Sequence, residues 1–131
     1  MKAQSSIEFL SLVSMSALLL AALHGFVSAK QAQLVQTEET RTAEQVAEKT
    51  SFQVEMALIQ GKGYSRVFNV PKEISGSEYK VKTGEGESFV SYEDENVFTA
   101  SRYQGEWINI STSDSTVFKV VNNGSVHIIP Q

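Results

Sequence analysis

The stretch FLSLVSMSALLLAALHGFVSA, residues 9–29, contains no Asp, Glu, Lys or Arg. It matches the roughly 20 apolar residues that a helix needs to cross a bilayer core. Serines 11, 14, 16 and 28 fit this reading, because a serine hydroxyl bonds back to its own helix backbone. His24 and Gly25 are its irregularities. Histidine suits a contact with a neighbouring helix, and glycine suits close helix packing. An ordinary secretory signal peptide has a shorter apolar core, and here it would be cut after Ala29 in Val27-Ser28-Ala29. A simple single-pass anchor is the other reading of the same run.

Immediately before it stands KAQSSIE, residues 2–8, with a carboxylate at Glu8. A charged group beside lipid is costly and marks a functional position.

The chain continues past Lys30 with no Pro before Pro71 and no Gly before Gly61 apart from Gly25. Leu34, Val35, Ala43, Val46, Ala47, Val54, Ala57 and Leu58 recur at three, four and seven, the spacing of one stripe on an amphipathic helix. Glu38 and Arg41 are spaced for a supporting i, i+3 pair. Gly61-Lys62-Gly63 is a stop signal. A single helix over residues 5–60 would be on the order of 80 Å long.

From Tyr64 the pattern switches to a period of two, with turn signals between runs. Tyr79 and Val81 alternate with Lys80 and Lys82, Phe98 with Val97 and Thr99, Ile108 and Ile110 with Trp107 and Asn109, and Phe118 and Val120 with Val117, Lys119 and Val121. Asn123-Gly124 is a strong hairpin signal. Six or seven strands are expected. So small a β body buries little on its own, and the apolar stripe of residues 34–58 is expected to cover one face of its sheet. The fold class is therefore α+β: a long N-terminal helix, apolar then amphipathic, packed on a small C-terminal antiparallel β-sheet domain.

Composition excludes several classes of function. The 131 residues carry a net charge of -4 and no cysteine. Thiolate sites and disulfides are excluded, and no basic patch suggests nucleic acid. The two histidines, His24 and His127, are far apart in sequence, and no hydrolase, zincin, phosphate-loop or dinucleotide motif occurs. No enzyme activity, metal or cofactor is expected. Tyr92-Glu93-Asp94-Glu95-Asn96 reads as a solvated acidic turn, without the ligand spacing of a calcium loop.

Lys2-Ala3-Gln4-Ser5-Ser6-Ile7-Glu8-Phe9 resembles the archaeal class III signal peptide: a basic residue, a small residue, then Gln-x-Ser-x-Glu-Phe ahead of an apolar helix. Gln4, Ser6, Glu8 and Phe9 match its fixed positions. With the helix and β region behind it, the chain looks like a type IV pilin, and Gly61-Lys62-Gly63-Tyr64, Val70-Pro71 and Gly76 resemble the helix-to-sheet junction of archaeal pilin-like proteins. The resemblance implies a leader at residues 1–3, an apolar membrane and filament-core helix at 4–30, its amphipathic continuation at 31–60 and a β-rich head at 61–131. It implies cleavage between Ala3 and Gln4 by a prepilin peptidase, with the leader cytoplasmic. The implied function is the structural subunit of an adhesion pilus, with copies of itself, an assembly ATPase and a platform protein as partners. The subunit would sit in the membrane before assembly and at the cell surface after it.

Under that resemblance Glu8 would pair with the amine of Gln4 in a neighbouring subunit, as a register device. Cyclisation of Gln4 to pyroglutamate would remove that amine, leaving Glu8 to accept hydrogen bonds from Ser5, Ser6 or backbone N–H groups. Two N-x-S sequons, Asn109-Ile110-Ser111 and Asn123-Gly124-Ser125, are candidate glycosylation sites on a surface protein. Asn109 is expected to be exposed on its strand and Asn123 to sit at a hairpin tip. A minor pilin or pseudopilin, and an unprocessed membrane protein with an extracellular β binding domain, are the alternatives.

Overall fold

The computed structural model describes residues 2–131 and is α+β. It contains one helix, α1 (Lys2–Gln60), followed by seven strands: β1 (Ser65–Asn69), β2 (Lys80–Gly84), β3 (Glu87–Tyr92), β4 (Glu95–Ala100), β5 (Ile108–Ser111), β6 (Val117–Asn122) and β7 (Val126–Pro130). Two compact units divide the chain, one ending at Thr37 and one spanning Glu38–Gln131.

In the second unit the strands form two antiparallel sheets rather than one. Their orders are β1-β6-β7 and β4-β3-β2-β5. The four-stranded sheet is a meander over β2, β3 and β4, with β5 returning to the free edge of β2. Its tight turns are two residues long, Glu85-Gly86 and Glu93-Asp94, all at positive φ as primed hairpin turns require.

One apolar core joins both sheets to the helix. Val81, Val90 and Ile110 enter it from the larger sheet, and Phe68, Phe118 and Val120 from the smaller. The helix contributes Ala43, Val46, Ala47, Val54 and Ala57. These positions lie on one stripe, and small side chains let the helix approach the sheets closely. Ser88 donates its hydroxyl to the Ala47 carbonyl at 3.2 Å, so helix backbone and strand side chain are in direct contact.

The covering stripe differs from the sequence expectation at both ends. Leu34, Val35 and Leu58 are exposed. Thr50, Ser51 and Gln53 are buried in the stripe instead. Ser51 is accommodated by polar partners: its hydroxyl meets Ser101 Oγ at 2.8 Å and Glu55 Oε1 at 3.0 Å. Glu55 also accepts the Arg102 backbone N–H at 2.8 Å. Glu38 and Arg41 form no ion pair. Among the described residues the only one is Lys72–Glu73, at 3.9 Å on the surface.

The helix ends where the glycine signal places its stop. Gly61 adopts φ +77° and its N–H reaches the Ala57 carbonyl at 3.2 Å, the left-handed C-terminal cap. The β6–β7 hairpin forms where the Asn123-Gly124 signal places it. Asn122 pairs with Val126, so the loop holds three residues, and only Gly124 has positive φ. Asn122 shapes this loop: its side-chain oxygen accepts the Gly124 N–H at 3.0 Å, a side-chain turn that leads into one more loop residue, Ser125, before β7.

Candidate functional site

Among the described residues of the first unit none is buried. Every large apolar side chain from Ile7 to Val27 is exposed, including Phe9, Leu12, Leu18, Leu20, Leu23 and Phe26. This helix is long and apolar enough to cross a membrane. Of the four serines expected to bond back to the helix, Ser11, Ser14 and Ser16 do so and Ser28 does not. Ser11 donates to the Ile7 carbonyl at 2.9 Å, Ser14 to Leu10 at 2.8 Å and Ser16 to Leu12 at 2.9 Å. No hydroxyl is therefore left to penalise an apolar environment at these three positions.

The two ends of the apolar run are polar in different ways. At the far end the Lys30 ammonium lies 5.8 Å from the centre of the Phe26 ring and donates to Gln33 at 3.3 Å. A lysine stem laid along apolar surface with its charge turned to polar partners suits a membrane boundary. At the near end stand Lys2, Ala3, Gln4, Ser6, Glu8 and Phe9, all exposed and all within α1. Met1, the start of the expected leader, lies outside the described residues. The helix begins at Lys2 rather than Ser5, so the Ala3–Gln4 peptide bond is itself helical.

Gln4 and Glu8 are four residues apart and thus share a helix face, one turn from each other. Glu8 makes no hydrogen bond or ion pair within the described residues. His24 is exposed, and a side chain added at Gly25 would meet nothing within 4 Å. Small residues at Ser14, Ala17, Ala21, Gly25 and Ser28 recur at spacings of three and four, the pattern that permits close approach of membrane helices.

The head carries a second notable surface on the outer face of the four-stranded sheet. Strand register places Phe98, Phe89, Lys82 and Asn109 directly opposite one another across β4, β3, β2 and β5. Directly paired residues point to the same side of a sheet, so all four share the outer face. The rings of Phe89 and Phe98 are 5.1 Å apart, and Phe89 meets Trp107 edge-on at 5.7 Å. Lys82 stands 5.8 Å over Phe89. Trp107 lies over Gly84, where a Cβ would come within 2.8 Å of the Trp107 Cα. The aromatic residues 89, 98 and 107 were each visible in sequence, but only strand order brings them together.

Both sequon asparagines are exposed. Asn123 lies in the β6–β7 loop, and Asn109 on the edge strand β5. His127 is an exposed strand residue whose Nε2 lies 2.7 Å from Ser125 Oγ. Compared with protein-family models, curated proteins and solved structures, the chain matches none.

Proposed function

We propose that this chain is the structural subunit of an archaeal type IV-like adhesion pilus. In this reading a prepilin peptidase cuts between Ala3 and Gln4, and the apolar segment of α1 moves from membrane to filament core. The observation that carries the reading is the unpartnered Glu8 at the head of a fully exposed apolar helix. An isolated carboxylate beside apolar surface is expensive, whereas a paired one is tolerated. A bundle of identical helices supplies both a cover for the apolar side chains and a partner for Glu8, namely the Gln4 amine of a neighbour. The helical Ala3–Gln4 bond unwinds locally when it is cut. The β head stays outside and sets surface chemistry.

A single-pass membrane protein is the second reading, favoured by the Lys30–Phe26 boundary alone. Shearing of intact cells, followed by pelleting and electron microscopy, separates the two. The subunit reading expects this chain in pelleted filaments, and Glu8→Ala to abolish them while leaving the chain in membranes. Filaments of normal number and length from Glu8→Ala would remove the pairing argument. A chain confined to membranes under all conditions would favour the simple anchor.

A further inference from the structure

We infer that Asn109 carries an N-linked glycan whose first sugars lie over the row formed by Trp107, Phe89 and Phe98. The inference rests on the head lying outside the cytoplasm, as the proposed function requires.

The row is open to solvent. Phe98 is 59% exposed and Trp107 38% exposed on the outer face of the sheet. Grouped apolar surface of this kind on a soluble head marks an interaction site. Asn109 is in register with it: strands lie about 4.8 Å apart, so the Phe89 position is roughly 10 Å away across Lys82, and Trp107 is roughly 7 Å away along β5. The Asn109 carboxamide makes no hydrogen bond within the described residues. A pyranose has an apolar C–H face that packs on aromatic rings. Its hydroxyls find Lys82 at the centre of the row, with Ser91 and Glu87 two residues to either side of Phe89 on the same face. The rings are tilted by 38° and 69°, so the surface is ridged and suits a short attached glycan better than a flat polymer. Asn123 has no such platform, since no aromatic pair includes the loop that bears it.

The modification is a transfer from a lipid-phosphate-linked oligosaccharide. Asn109 Nδ2 bonds to the anomeric carbon of the sugar. The bond from that carbon to the donor's phosphate oxygen breaks with its electron pair left on oxygen, and the displaced amide proton passes to a base of the transferase.

Trp107 is the only tryptophan in the chain and reports on its own cover. Full-length protein is purified in detergent from the cells that make it. Glycopeptide mass spectrometry is combined with acrylamide quenching of Trp107 in the native chain, Ser111→Ala, Asn109→Gln and Asn123→Gln. The expected result is a glycan at Asn109, with the quenching constant at least doubled in both Ser111→Ala and Asn109→Gln and unchanged in Asn123→Gln. An unmodified Asn109 overturns the inference, and so does a glycan whose loss leaves quenching unchanged. Protease digestion of intact cells identifies which idea has failed. A head that is digested while Asn109 is bare sinks this inference alone, and a head that is protected sinks the proposed function as well.

Discussion

Asn122 donates its side-chain N–H to the Ala57 carbonyl at 2.8 Å and so fastens the end of β6 to the last turn of α1. That carbonyl also receives the Gly61 cap, and the Asn122 backbone N–H bonds Tyr64 at 2.9 Å. One buried side chain thus serves the helix terminus, the helix-to-strand junction and the β6–β7 turn. Asn122→Ala removes two side-chain hydrogen bonds from a buried site, and a loss of about 1–3 kcal/mol is expected. Urea unfolding of the full chain in detergent, followed through Trp107, measures it. An unchanged midpoint would show that the junction is held by backbone contacts alone.

Much of this junction was legible in sequence. Gly61 was a visible stop, and the period-two runs around Val81, Ile110 and Phe118 point inward as their alternation requires. The tie from Asn122 to the helix was not legible, because a local turn signal says nothing of a contact with Ala57, 65 positions away in sequence. The buried Thr50, Ser51 and Gln53 were hidden for a similar reason: hydropathy assigns them to the solvent face, and their helical spacing from Ala43, Ala47 and Val54 overrides it. The break into two sheets depends on long-range pairing, β1 with β6, that no local pattern encodes.

Gly84→Ala tests the close seat of Trp107. The new methyl would lie 2.8 Å from the Trp107 Cα and 3.0 Å from its backbone nitrogen, so the backbone leading into β5 has to move. A destabilisation of about 1–3 kcal/mol is expected, together with a red-shifted Trp107 emission in the folded state. An unshifted spectrum at unchanged stability would place the indole elsewhere.

Alkali is expected to destabilise the head through its tyrosines. Burial raises the Tyr79 phenol well above its ordinary pKa, and its hydroxyl donates to the Pro71 carbonyl at 2.6 Å. Burial also raises Tyr92 and Tyr103, helped by the neighbouring carboxylates Glu95 and Glu106 respectively. The folded state holds these protons more tightly than the unfolded chain does. Their contribution is therefore complete below about pH 10 and is lost as pH rises beyond it, by up to about 1.4 kcal/mol per pH unit for each fully shifted tyrosine. Tyr79→Phe is expected to cost about 1 kcal/mol near neutrality and to flatten the alkaline limb of a stability-versus-pH curve. An equally steep limb in the variant would assign the alkaline loss to other groups.

The most direct test of the filament account is the identity of the first residue of the mature chain. N-terminal peptide mass spectrometry on sheared surface material and on membranes reads it. The account predicts a chain beginning at Gln4 in the sheared fraction. A peptide lighter by one ammonia would show pyroglutamate, which keeps the processing and removes the amine as the Glu8 partner. A chain still beginning at Met1 and found only in membranes, or one beginning at Lys30 after loss of the whole apolar run, would contradict the account.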